Sequence, residues 1–245
     1  MIKIKQIDNV THVSAAVTEF SDSIGYCEYK IPLSIEGVKA KPTKALLMGS
    51  KAHIAEEKHE QETVEFEPVT TDELIDENVD LEFPREDIYS RLIVPFEFGK
   101  HAVVVSLNGR IDKMKRVGGT LFIQDDKFVA RPETYDNKTT PFPGQLLQVL
   151  AYLSSTFSNV RNPTPEDILD MSHTEKKWQL RICDRKTREP YKTFSEVVDQ
   201  FSMQFLHNSI EKFASIATGF AQPEHHNSKA KCNACNLKSS CEFRL

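Results

Sequence analysis

The chain has 245 residues, 39% of them hydrophobic, a net charge of −5 and five cysteines. That length and apolar content allow one domain with a buried core, and an odd cysteine count without an apolar leader argues against a disulfide framework. The longest apolar-rich run, residues 145–153, is far short of a membrane span, so a cytoplasmic protein with no membrane partner is expected.

In chain order, residues 11–36 mix helical and loop signals around Cys27, and ALLMGSKAHIAEEK (45–58) reads as a helix bearing His53. From Ile54 to Asp87 fourteen acidic residues face only Lys58 and Arg85, a local net of −12 that leaves +7 on the rest of the chain. Residues 54–89 are therefore read as a solvated acidic insertion or partly ordered lid, and the basic remainder can meet nucleic acid. Strand signals fill 90–106 and continue into a hairpin centred on Gly118-Gly119. Residues 131–144, with three prolines, form a turn-rich connector. GQLLQVLAYLSSTF follows, with leucines at 146, 147, 150 and 153 in amphipathic helical spacing. WQLRICDRKTREPYKTF alternates as strand and turn, residues 196–217 carry a long helical pattern, and 221–245 form a polar, cysteine-rich tail. Strands followed by flanking helices predict an α/β fold, a mixed central sheet within one domain over 1–245.

The hairpin GRIDKMKRVGGTLFIQDDKF concentrates the chemistry. With two glycines as the loop, Val117 pairs with Thr120, and counting outward sets Asp112 opposite Asp125. Lys127 lies two residues further on and shares the face of Asp125, as do Leu121 and Ile123. Directly opposed residues have Cβ atoms about 4.5–5.5 Å apart, near enough for one divalent cation to touch both carboxylates. The run HAVVVSL (101–107) is of buried-strand type and feeds into this hairpin, which places the acids beside a core where they need a partner.

Cys232, Cys235 and Cys241 form a C-x2-C-x5-C run in the polar segment KCNACNLKSSC. Buried cysteines acting as small hydrophobes do not cluster in such sequences, so a metal is the economical reading. Three thiolates leave one position open: Cys27 suits an iron-sulfur cluster, while His225 or His226 suits zinc. Cys183, in the alternating QLRICDR, is read as a strand residue facing the core.

Taken together, these residues resemble the RecB-like branch of the PD-(D/E)XK nuclease superfamily, and within it the iron-sulfur members related to the CRISPR-associated exonucleases. The pieces occur in the family's order: Cys27, His53, the aspartate of GRID, the D-x-K of QDDK, Gln148 and Tyr152 in QVLAY, and the three C-terminal cysteines. The resemblance implies a restriction-endonuclease-like core. In it His53, Asp112, Asp125 and the carbonyl of Asp126 bind Mg²⁺ or Mn²⁺, and Lys127 positions or activates the attacking water. It further implies that Gln148 and Tyr152 orient the site and contact DNA, and that Cys27, Cys232, Cys235 and Cys241 hold one iron-sulfur cluster of the 4Fe-4S type. Position 125 is aspartate where many relatives have glutamate, position 126 is acidic where an apolar residue is usual, and the acidic insertion lengthens the chain. Single-stranded or frayed DNA ends are the implied substrate, CRISPR integration proteins and further copies of the chain the implied partners, and spacer acquisition or DNA repair the implied role. The competing reading is a non-catalytic adaptor for DNA or protein, with zinc on the C-terminal cysteines and surface charges on the hairpin.

Overall fold

In this computed structural model, which describes residues 1–63, 81–83, 88–161, 163–169 and 175–245, the chain opens with a hairpin of β1 (Lys3–Ile7) and β2 (Val10–Ala16). Asp8 and Asn9 turn it with positive φ angles of 46° and 66°. Helices α1 (Val17–Tyr26), α2 (Lys30–Ile35) and α3 (Lys44–Thr63) follow. The start of the acidic stretch thus continues α3; of the rest, 64–80 and 84–87 lie outside the described residues. Next come β3 (Leu81–Phe83), β4 (Tyr89–Phe98), β5 (His101–Arg110), β6 (Lys113–Val117) and β7 (Thr120–Val129). Helix α4 (Pro143–Leu153) precedes β8 (Thr156–Ser158), β9 (Ile168–Leu169), β10 (Glu175–Asp184) and β11 (Pro190–Val197). Helices α5 (Gln200–Ala217) and α6 (Lys229–Ala234) complete the order.

The fold is mixed α/β, as expected, with its described strands in two sheets. One has the order β1-β2-β5-β4-β8-β9 and the other β11-β10-β7-β6-β3. Parallel contacts join β2 to β5 and β7 to β10, and the remaining neighbours are antiparallel. The chain passes from one sheet to the other at Ile111-Asp112, between β5 and β6. Period-two burial explains the strands: Val103, Val105 and Leu107 of β5, Leu121 and Ile123 of β7, and Trp178, Leu180 and Ile182 of β10 enter one core. Helix α4 starts with Pro143 in its first turn, where a missing N–H costs nothing, and buries Leu147, Leu150 and Ala151.

Two local differences from the sequence reading have clear causes. Residues 196–197 end strand β11, and the helix begins only at Gln200, because the Asp199 side chain accepts the Ser202 N–H at 2.7 Å and caps it there. Cys183 is buried on a strand, but beneath α3 with Ala52 and Phe128 in a separate small cluster.

Helices α1 and α4 cross without side chains between them. A Cβ on Gly25 would lie 2.3 Å from the Gly144 Cα, and one on Gly144 would lie 2.8 Å from the Ser21 carbonyl oxygen. Only glycine at both positions permits this approach, which seats the first turn of α4 against the end of α1.

Candidate active site and thiol centre

Gly118 and Gly119 take positive φ angles of 55° and 74°, the conformation of a two-residue turn whose twist matches the strands it joins. Val117 pairs with Thr120 and Lys113 with Gln124, so the expected register holds and carries Asp112 across from Asp125. Asp112 sits in the bend just before β6. Its Oδ2 accepts the Asp126 backbone N–H at 3.2 Å and lies 3.8 Å from His53 Nδ1 on α3. The His53 ring is held edge-on to Phe128, with centroids 4.8 Å apart.

Asp125 is buried. Its Oδ1 accepts from Gln148 Nε2 at 2.9 Å, and Lys127 Nζ lies 2.6 Å from Oδ2. That ion pair gives the buried Oδ2 its partner. Lys127 donates to Gln148 Oε1 at 2.9 Å, and Gln148 Nε2 also reaches the Tyr152 hydroxyl at 3.4 Å. Burial pushes the Asp125 carboxyl up to about 7; Lys127 pulls the other way and the negative charge of Asp112 adds to the rise. Burial, reinforced by Asp125 and Asp112, likewise raises the Tyr152 phenol.

Two nearby carboxylates, one of them fully buried, therefore face a lysine and an imidazole. Hard carboxylate oxygens suit Mg²⁺ or Mn²⁺, and an ion here would offset the negative charge of Asp112 that adds to the effect of burial on Asp125; among the described residues, three metal-capable donors lie within 4.8 Å of one another at His225, His226 and Cys232 and not at this site. His53, Asp112, Asp125, Lys127, Gln148 and Tyr152 come together here from α3, the β5–β6 bend, β7 and α4.

Asp126 is placed differently. Its carboxylate points to the other face of β7, where Arg181 binds it through Nε at 2.8 Å and Nη2 at 2.5 Å, and Gln124 Nε2 adds a bond at 3.1 Å. The backbone carbonyl is thus the atom on which a metal-binding role for Asp126 depends.

Two supporting residues escaped sequence reasoning. Arg181 neutralises the buried Asp126 from a strand paired in parallel with β7, a partnership that no local pattern announces. Gly109 of GRID lies against Tyr152, since a Cβ there would stand 2.5 Å from Tyr152 Cε1. A glycine inside a strand was the available signal for such a close approach.

The cysteine-rich tail meets the N-terminal helices. Cys27 caps α1 and is buried, Cys232 is buried in α6, and Cys235 closes α6. Burial, with the thiols of Cys235 and Cys241 nearby, pushes the Cys27 thiol up. Cys232 Sγ lies 3.8 Å from His225 Nε2, and donor atoms of His225, His226 and Cys232 all fall within 4.8 Å of one another. The two ends are fastened further by the Tyr26 hydroxyl, which donates to the Lys231 carbonyl at 2.6 Å, and by stacking of Tyr29 on Phe243 at 4.1 Å. Both the thiol and the imidazole candidates for a fourth ligand thus occupy one neighbourhood.

A fold of two mixed sheets, with two acids and a lysine at a glycine-turned hairpin, defines a nuclease class. Residues 10–242 match the PD-(D/E)XK nuclease superfamily, and the chain belongs to it. Among curated proteins, none matches. In solved structures it is similar to SSO0001, at 13% identity over 98% of this chain and 90% of that one, with a TM-score of 0.46. It is also similar to an alkaline exonuclease from Laribacter hongkongensis, at 9% identity over 84% and 89% of the two chains, TM-score 0.42. The same exonuclease in complex with dAMP gives 9% identity over 82% and 92%, TM-score 0.39. Members of the superfamily generally use divalent metals such as Mg²⁺ or Mn²⁺. Among the described residues no helix is long and apolar enough to cross a membrane.

Proposed function

We propose that this protein is a Mg²⁺- or Mn²⁺-dependent DNA exonuclease acting on single-stranded or frayed ends. The observation that carries the reading is Asp125: a fully buried carboxylate with Lys127 paired to it at 2.6 Å, beside Asp112, whose Oδ2 accepts the backbone N–H of the next residue, Asp126. His53, Asp112, Asp125 and the Asp126 carbonyl would hold the ion, which when bound polarises the phosphate and acidifies water. Lys127 positions the attacking water and offsets the negative charge that grows on phosphorus. Gln148 holds both Lys127 and Asp125, fixing their separation, and Tyr152 backs Gln148 against Gly109. The test is hydrolysis of end-labelled linear and circular single strands with Mn²⁺. Linear strands should be degraded and circles spared, with loss of activity in Asp112→Ala and Lys127→Ala. Unchanged cleavage in both variants would refute the site.

For the thiol centre we propose an iron-sulfur cluster on Cys27, Cys232, Cys235 and Cys241, supported by the junction of their two segments, where the Tyr26 hydroxyl donates to the Lys231 carbonyl at 2.6 Å. The spacing of His225, His226 and Cys232 favours a second reading, zinc. Anaerobically purified protein separates them: a cluster is brown and contains iron, whereas zinc is colourless. Spacer acquisition in a CRISPR system or DNA repair is the cellular setting we assign to this activity, in the first case beside integration proteins. Assay of the protein with and without such proteins tests that role.

A further inference from the structure

The face of β7 turned away from Asp125 carries a cleft that hydrolysis does not use. It has a volume of about 200 Å³ and is lined by Lys113, Lys115, Phe122, Gln124 and Arg181. Across three adjacent strands, Lys115 of β6, Phe122 of β7 and Lys177 of β10 stand directly opposite one another and form one transverse row. The two ammonium groups lie 5.6 Å and 5.8 Å from the centre of the Phe122 ring, one from each neighbouring strand. In the next row Gln124 separates Lys113 from Gln179.

Such a row has the composition of a stacking platform: an apolar ring that a base can take once the two ammonium groups now over it swing out to the adjoining phosphates. The volume is below the roughly 300–1,000 Å³ of a pocket that encloses a small molecule, which favours a ligand that crosses the surface. Arg181 is held by Asp126, and the carboxylate contact of Lys177 is a surface pair with Glu175 at 2.8 Å, a kind of pair that a phosphate readily displaces. Asp112 immediately precedes Lys113, so the cleft and the hydrolytic site lie on opposite faces of the same strands.

We propose that this cleft is a second nucleic-acid subsite, in which a base of single-stranded DNA stacks on Phe122 while Lys115 and Lys177 bind the flanking phosphates. It rests on the reading of DNA as substrate and extends it, giving the strand a hold beyond the cutting position.

The test measures binding of the full chain, in EDTA, to a fluorescein-labelled oligothymidylate of about 16 nucleotides by anisotropy, with heparin as a competitor that has charge but no bases. Phe122→Ala should weaken oligonucleotide binding about tenfold and leave heparin competition unchanged, and Phe122→Trp should restore it. Lys115→Ala with Lys177→Ala should reduce the slope of log K against log salt by about 1.4, for two phosphate contacts on a single strand. Binding within twofold of the parent in every variant would overturn the subsite, as would an equal loss of heparin and oligonucleotide affinity in Phe122→Ala. Hydrolysis is scored separately with Mn²⁺. A parent protein that binds through Phe122 yet cleaves nothing would sink the exonuclease reading and leave the subsite standing; one that cleaves, with variants that bind normally, would do the reverse.

Discussion

Replacing Asp125 by asparagine should stabilise the metal-free protein while removing its ability to bind the ion. A carboxyl raised from 3.8 to about 7 by burial is charged at pH 8 at a cost of about 4 kcal/mol relative to the unfolded chain. Asparagine keeps an oxygen for Gln148 but sets an amide against Lys127, so we expect about half of that gain, ~2 kcal/mol, or about 4–8 °C in Tm for a chain of this size. The sign with pH follows from proton uptake. Between about pH 7 and 4 the folded carboxyl holds a proton that the unfolded one has released, so the parent protein gains stability as pH falls. The advantage of Asp125→Asn should therefore shrink from pH 8 toward pH 4. Thermal melts in EDTA across that range measure it, and parallel melts with Mn²⁺ should stabilise the parent and not the variant. A variant that melts at or below the parent at pH 8 without metal would show that Lys127 and Gln148 fully offset the burial of the charge at position 125.

Arg181→Ala leaves the buried Asp126 carboxylate unpaired and should cost about 3–5 kcal/mol in urea denaturation, with Asp126→Asn recovering much of the loss in the same background. Gly109→Ala drives a methyl into the Tyr152 ring and should cost about 1–3 kcal/mol with a reduced kcat; in a Tyr152→Ala background the same change should cost less than half as much. Cys27→Ala and Cys232→Ala should each release the bound metal and lower Tm by more than about 5 °C, measured by metal analysis and calorimetry on the same samples. His225→Ala should leave iron content unchanged if the thiols alone form the centre.

What could be read in advance was local. The hairpin register was visible because Gly118-Gly119 demands one turn type, and period two then determines which side chains share a face. Helix α4 was visible in the spacing of its leucines. The β1–β2 hairpin leaves little trace in the sequence, since KIKQI exposes both faces and has no apolar alternation, although Asp8-Asn9 is itself a turn signal for the same geometry. The partners of the site residues were harder still. Arg181 meets Asp126 only because β10 lies parallel to β7, and Gly25 meets Gly144 only because two helices cross. Neither contact leaves a periodic trace in the chain.

Because the two faces of β7 have different occupations, the strand between Phe122 and Asp125 tolerates change only in even steps. Lengthening that stretch by a residue pair leaves each side chain on its own side. Adding a single residue there would bring the lysine-flanked ring and the carboxylate to the same side. Odd-numbered insertions in this stretch should accordingly be more damaging to activity than pairs, a parity rule imposed by one strand serving two tasks.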